Sequence, residues 1–277
     1  MNLYEKYDAL KKNLAELGSV AVAFSGGLDS TFLLNAAHDI LGDAAFAATA
    51  RAISFQERET DEAAAFCEKE NIRHYICDVD VFGIEGFAQN PADRCYLCKR
   101  AIFAKLIETA AEHGAAYVAE GSVTDDDGDY RPGMRAIVEL GVVSPLKAAG
   151  LCKDEIRKLS AEAGLATWSK QPAACLATRF PYGEELSAAK FEMVGRAEQF
   201  LKDIGFAQVR VRYHGNLARI ECDGAGFELL NDGRVREQIH DGFKRIGFNY
   251  VASDLLGYRT GSMNETLGLR ALEQLDG

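Results

Sequence analysis

Residues 20–31 read VAVAFSGGLDST. An apolar run that stops at two glycines is a buried strand ending in a tight turn. The stretch after it, beginning near Asp29, has helical character. Strand, glycine turn and helix in direct succession leave few options for the rest of the chain. The neighbouring segments keep the same alternation. Strand-like runs lie at 19–24, 44–52, 72–79 and 115–121, and helical runs at about 29–41, 56–70 and 95–113. That alternation predicts an α/β fold, a parallel sheet with helices on both faces. Ligands of such sheets sit at the carboxyl ends of the strands, where SGGLDS falls.

The second half has another rhythm. A helix is expected over 153–164, an irregular segment over 167–187, and a helix over 187–204. FAQVRVRYHGNLARIEC then reads as a β-hairpin turning at His214-Gly215-Asn216, followed by a helix near 233–246 and a strand at 247–252. This pattern is α+β. The expected organisation is a parallel-sheet domain over 1–168 and a smaller α+β domain over 169–277, with the boundary somewhere in 165–175.

The glycine turn has a chemical reading. SGGLDS lacks the Gly-Lys-Ser/Thr ending of a Walker loop and the G-x-G-x-x-G of a dinucleotide fingerprint. Gly26 and Gly27 still let backbone N–H groups approach phosphates, and the helix aims its positive end at the same point. Ser25, Ser30 and Thr31 add hydroxyls. Asp29 would repel a phosphate unless a divalent cation stood between them, so it implies Mg²⁺. EGSVTDDDGDYRPG (120–133) follows another strand end. There Gly121 and Ser122 are placed to approach a nucleotide, and Asp125 or Asp126 to hold metal. A solvated acidic loop is the competing reading.

Charge narrows the partners. The chain carries a net charge of −11 over 277 residues. A nucleic-acid backbone calls for a basic surface, so a small-molecule substrate is the expectation and a nucleic-acid partner is not. No apolar run approaches the roughly 18 residues a membrane helix needs, and the charged N-terminal segment is no signal peptide. No membrane partner is expected, and a cytoplasmic location is.

Seven cysteines argue against a disulfide framework in such a chain. Arg94-Cys-Tyr-Leu-Cys-Lys99 places a C-x-x-C at a helix start, where the pair can ligate metal, serve redox chemistry or do neither. Cys175 lies in the irregular QPAACLATRFPYG (171–183), with Arg179 nearby, and suits an accessible thiol. Cys67, Cys77, Cys152 and Cys222 read as packing residues, and Trp168 as packing at the domain junction. Arg210 and Arg212, two apart on a strand, project from one face while Val209, Val211 and Tyr213 occupy the other. Two such forks can hold phosphate or carboxylates bidentately. A solvated sheet face is the alternative. Arg179 and Arg259 are further candidates.

SGGLDS resembles the loop of the ATP pyrophosphatase (PP-loop) superfamily, which cleaves ATP between its α- and β-phosphates. Together with EGSVTDDDGDYRPG, PADRCYLCK, QPAACLATRFPYG, VRVRYHGNLARIE and LGYRTGSMNE, it makes the chain resemble the LarE-type sulfur transferases from residue 25 to about 265. The resemblance implies ATP-dependent adenylation of a carboxylate on pyridinium-3,5-dicarboxylate mononucleotide, with AMP then displaced by sulfur. The product is a thiocarboxylate of the nickel-pincer nucleotide cofactor of lactate racemase. It puts the family's sulfur-donating cysteine at Cys175. Cys95 and Cys98 match a three-cysteine subgroup in which thiolates hold a [4Fe–4S] cluster. Three ligands leave one iron open to carry sulfide. Sacrifice of Cys175 remains the alternative, as does a tRNA-thiolating PP-loop enzyme. The resemblance also implies a homo-oligomer, and the source of the sulfide is left open.

Overall fold

A computed structural model of the chain describes residues 1–126, 132–171, 174–259 and 261–263. Parts of the quoted motifs, at 127–131, 172–173, 260 and 264–265, lie outside these. Contacts divide the chain into two compact units. The first comprises 1–84 and 95–173; the second comprises 85–94 and 174–277.

The first unit opens with helix α1 (Leu3–Leu17), capped by Asn2, whose side chain accepts from the Tyr4 and Glu5 amides. Strand β1 (Val20–Ala23) leads through the glycine turn into α2 (Leu28–Leu41). Then come β2 (Ala45–Arg51), α3 (Glu57–Lys69), β3 (His74–Asp78), α4 (Arg94–Glu112) and β4 (Tyr117–Ala119). Short helices α5 (Gly133–Glu139) and α6 (Pro145–Ala148) precede α7 (Lys153–Glu162). All pairings are parallel, in the order β3-β2-β1-β4.

The order explains the composition of β1. It lies between β2 and β4, and Val20, Ala21 and Val22 are fully buried. One hydrophobic core joins β1 to α1, α2 and α7 through Leu10, Leu14, Phe32, Leu33 and Ile156, all within 2% exposure. The strand order also reverses beside β1, since β2 lies on one side of it and β4 on the other. Such a reversal opens a crevice at the carboxyl ends of the two diverging strands. The turn after β1 and the segment after β4 both arrive there.

The second unit holds α8 (Ala188–Asp203) and the hairpin β5 (Val209–His214) and β6 (Leu217–Cys222). After it come α9 (Gly224–Asn231), α10 (Gly233–Ile246) and β7 (Tyr250–Ser253). Its sheet runs β5-β6-β7, antiparallel within the hairpin and parallel between β6 and β7. Gly215, at φ +61°, makes the hairpin turn that the sequence predicts. Helix α9 was not foreseen in the sequence. It is only eight residues long, and its start is marked by the Asp223 cap on the Gly226 amide.

Candidate active site

The turn after β1 is fastened from within. Ser25 Oγ and Ser30 Oγ lie 3.1 Å apart, the Ser25 amide donates to Ser30 Oγ (3.3 Å), and Ser30 Oγ donates to the Gly27 carbonyl (3.3 Å). Gly26 sits at φ +65°, where a side chain would be strained. Gly27 is the N-cap of α2 and has no side chain with which to cap it. A serine or aspartate there would satisfy a first-turn N–H; glycine leaves that donor for an anion.

Gly121, directly after β4, closes the other side. A β-carbon on it would stand 3.1 Å from both Asp29 Cβ and the Ser30 amide nitrogen, so only glycine lets the two segments approach this closely. Ser122 is turned to a different task. Its amide and hydroxyl donate to the buried Glu120 carboxylate (3.1 and 2.8 Å), which also accepts from Ser144 Oγ (2.5 Å).

Asp29 is held by a residue that the sequence reading missed. The Lys153 ammonium binds Asp29 Oδ2, while the Lys153 amide donates to Asp125 Oδ2 (2.8 Å). One lysine thereby brings both predicted metal-binding carboxylates to the end of α7. A signal was present: Lys153 is the first residue of α7, where the helix dipole disfavours a cation. Asp29 Oδ1 is buried and makes no hydrogen bond. That leaves a carboxylate oxygen for a hard cation such as Mg²⁺, so Asp29 fits the expected metal.

A cavity of about 200 Å³ opens beside Ser25. It is lined by the ends of β1 and β2 (Phe24, Ala48, Thr49) and by Lys99, Ile102 and Leu106 of α4. Its apolar walls suit a flat heterocycle. Thr49 donates to the Phe24 carbonyl (2.7 Å) and meets His74 Nε2 (2.7 Å), so its hydroxyl is oriented. Burial pushes the His74 imidazole below its ordinary value.

Cys95 and Cys98 occupy the first two turns of α4. Cys95 precedes Lys99, Ile102 and Leu106 by four, seven and eleven positions, and so shares the helix face that lines the cavity. Cys95 is half-buried and Cys98 buried. All seven cysteines are described and none forms a disulfide. Cys67 and Cys222 are packing residues as expected, and burial pushes their thiols up to about 12 and about 11. Cys77 is buried too. Cys152 departs from the expectation. It is the half-buried N-cap of α7, because a residue immediately before a helix faces the orphan amides and not the core. Trp168 also differs, with 49% of its surface exposed.

In the second unit, Cys175 caps a single 3₁₀ turn, Leu176–Arg179. Its carbonyl accepts from the Thr178 amide (3.0 Å), Thr178 Oγ1 (2.8 Å) and Arg179 Nη1 (3.2 Å). Arg94 reaches the Ala177 carbonyl (3.1 Å), and Asn90 reaches that of Pro181 (2.7 Å). Residues 85–94 thus cradle the segment after the cysteine.

Of the arginines expected to face a ligand, Arg179, Arg210 and Arg212 are buried and Arg259 is half-buried. Arg179 forms a two-pronged bond with Glu198 (2.7 and 2.9 Å), both side chains at most 1% exposed. Burial alone would raise the Glu198 carboxyl; Arg179, with Arg210 behind it, holds it below the ordinary value. Arg212 bonds Glu221 (2.6 Å), Ser262 (3.0 Å) and the Thr178 carbonyl (3.0 Å), leaving its Nε buried and unbonded. Arg210 lies 5.3 Å from the Tyr258 ring centre, and burial and then Arg179 push it below its ordinary value. Arg259 and Arg219 share Asp254 (3.1 and 2.9 Å). Arg210 and Arg212 therefore belong to neither an open fork nor a solvated face. Five guanidiniums (179, 210, 212, 219, 259) meet three carboxylates (198, 221, 254) among the described residues, a local cation excess inside an acidic protein.

Among the described residues, no three His, Cys, Asp or Glu side chains gather as a metal-binding group. Cys95 and Cys98 belong to the first unit and Cys175 to the second.

No protein-family model matches the chain. One chain of the glutamine-hydrolysing GMP synthase of Thermoplasma volcanium is 28% identical over 166 residues, covering 54% of this protein and 53% of its own length. The pyridinium-3,5-bisthiocarboxylic acid mononucleotide synthase of Lactiplantibacillus plantarum is 38% identical over 269 residues, 96% of each chain. An uncharacterised protein of Synechocystis sp. is 38% identical over 266 residues, 96% of this chain and 99% of its own. A glycine loop at the end of β1, closed by the end of β4 in a parallel sheet, defines a PP-loop nucleotide enzyme. Within that class, the chain belongs to the LarE-type family of pyridinium-3,5-bisthiocarboxylic acid mononucleotide synthase, a family of sulfur-transferring enzymes.

Proposed function

We propose that the protein adenylates a carboxylate of pyridinium-3,5-dicarboxylate mononucleotide and converts it to a thiocarboxylate, a step in making the nickel-pincer cofactor. The observation that carries this reading is the Ser25–Ser30 loop closed by Gly121, in a chain aligned along 96% of its length with the plantarum synthase. The loop amides and the hydroxyls of Ser25 and Ser30 bind the β- and γ-phosphates of ATP, and the neighbouring cavity takes the adenine. Mg²⁺, held by Asp29 with Asp125 beside it, would supply charge neutralisation for the phosphates. The Lys153 ammonium pairs with Asp29, and its backbone amide holds Asp125 beside it. The cluster of five arginines around Glu198, Glu221 and Asp254 favours an anionic substrate.

The sulfur source has two readings. In the first, Cys95, Cys98 and Cys175 would hold a [4Fe–4S] cluster, which would carry the sulfide for transfer. In the second, Cys175 gives up its own sulfur and is left as dehydroalanine; its half-buried place at the start of a 3₁₀ turn favours an accessible thiol. Iron and acid-labile sulfide, measured after anaerobic reconstitution, separate them. About four of each per chain, lost in C95S, supports the cluster. Absence of iron, with Cys175 lighter by one H₂S after turnover, supports sacrifice.

The reaction itself is tested by mass spectrometry on the substrate with ATP and Mg²⁺. One AMP and one pyrophosphate are expected for each oxygen replaced by sulfur. Pyrophosphate release that ignores the pyridinium dicarboxylate would refute the proposal. The protein is further proposed to be a cytoplasmic homo-oligomer. Two observations support this. No described helix is long and apolar enough to cross a membrane, and Tyr250 of edge strand β7 and, in the turn after it, Leu255 and Leu256 are 68%, 93% and 74% exposed. Light scattering that gives a monomer mass would exclude the oligomer.

A further inference from the structure

The phosphate loop has a contact that its own sequence does not reveal. Lys170, just after the 3₁₀ turn Ala166–Ser169, donates to the carbonyl oxygen of Gly26 (2.8 Å) and to Glu62 Oε2 (2.7 Å). Glu62 also accepts from Arg58 Nε (2.7 Å), one turn earlier on α3. Helix α3 supports the loop a second way, since a β-carbon on Gly26 would touch Ala63 Cβ at 3.4 Å.

The carbonyl of Gly26 and the N–H of Gly27 are two ends of one planar peptide, pointing opposite ways. Fixing the oxygen therefore fixes the hydrogen. With Lys170 on the oxygen, the Gly27 N–H points toward Ser25 Oγ (3.4 Å), where the Ser25 and Ser30 hydroxyls meet. That long contact is weak, so a stronger acceptor can readily displace it. A peptide between two glycines, one of them at positive φ, is also among the easiest to turn over. Turned over, it would present its carbonyl to an incoming phosphate and repel it.

We propose that Lys170 is a positioning residue for ATP. It clamps the Gly26–Gly27 peptide so that the N–H faces the anion before the nucleotide arrives. Preorganised donors of this kind need no rearrangement when charge appears, which makes them effective. The inference rests on reading Ser25–Ser30 as a phosphate loop. It adds that a lysine far along the chain sets the loop's polarity.

The test titrates inorganic pyrophosphate into ¹⁵N-labelled full-length protein and follows the Gly27 amide, in wild type and in the K170M, K170R and E62Q variants. Wild type is expected to show a saturable Gly27 shift. K170M should bind pyrophosphate about tenfold more weakly or worse, and lose the shift, as expected on losing a hydrogen bond from a charged group. K170R, which can still donate to the carbonyl, should keep most of both. E62Q, which keeps the Lys170–Gly26 bond, should keep the shift. Lys170 is 26% exposed, so its replacement should leave the fold intact, and K170R decides the matter should K170M not fold. Wild type without any shift would remove the phosphate-loop reading itself. A wild-type shift that K170M reproduces at an affinity within about twofold would overturn only the clamp. So would an E62Q variant as impaired as K170M, because the lysine would then be acting through α3.

Discussion

The ammonium of Lys153 rests on Oδ2 of Asp29, a residue 124 positions earlier, while Lys153's own amide holds Asp125. A single residue at the start of α7 thereby orders two carboxylates from two different strand ends. Replacing its side chain frees Asp29 and removes a cation from beside the phosphates, while the backbone amide still holds Asp125. K153M is expected to lower substrate-dependent pyrophosphate release on the order of a hundredfold. Its melting temperature should change little, because the pair is partly exposed (34% and 22%) and such pairs contribute little to stability. A coupled pyrophosphate assay beside a thermal melt checks both.

Gly121 gives a steric test of the same crevice. In G121A the new methyl group would stand 3.1 Å from Asp29 Cβ and the Ser30 amide, so the loop must shift by a few tenths of an ångström. ATP affinity should fall roughly tenfold, equivalent to about 1.4 kcal/mol. Calorimetric titration reads it; unchanged affinity would mean that the loop and the end of β4 do not share the ligand.

The Arg179–Glu198 pair predicts a stability loss with a definite sign in pH. Removing one partner of a buried pair strands the other, so R179M should destabilise the second unit by about 3–5 kcal/mol. The Glu198 carboxyl is depressed in the folded state. Its contribution is therefore complete above the unfolded carboxylate value of about 4.3 and is lost as pH falls through the lower folded value. Denaturant midpoints measured between neutral and strongly acidic pH should show this fall in wild type and not in the double variant R179M/E198Q.

Thiol reactivity should separate the cysteines. Cys67 and Cys222, with thiols pushed up to about 12 and about 11, should resist iodoacetamide at mildly alkaline pH in the native protein. The half-buried Cys95 and Cys175 should be alkylated well before them. Peptide mapping after timed quenching gives the order; early labelling of Cys67 would contradict the burial described.

Much of the first unit was legible because its signals are local. The four strands and the three helices between them follow apolar periodicity, and the phosphate turn follows from two glycines. Lys153 and Lys170 were harder to find, because their partners lie 124 and 144 positions away and no spacing rule links them. The arginines show a different limit. Alternation places Arg210 and Arg212 on one strand face, but cannot tell that Glu221, from the neighbouring strand, and Ser262 arrive to cover Arg212. Cys152 was misjudged because its neighbours read as helix, when it is the residue before one.

The order β3-β2-β1-β4 also bears on how the protein is made. The phosphate loop leaves the ribosome before the segments that complete it, and Val20 must wait for Tyr117 to emerge before β1 has both neighbours. Gly121 and Lys153 come later still. A nascent or truncated chain thus carries the whole SGGLDS sequence without the means to grip ATP. Since a ligand stabilises only the state that binds it, cellular ATP would protect finished molecules and leave incomplete ones to the proteases.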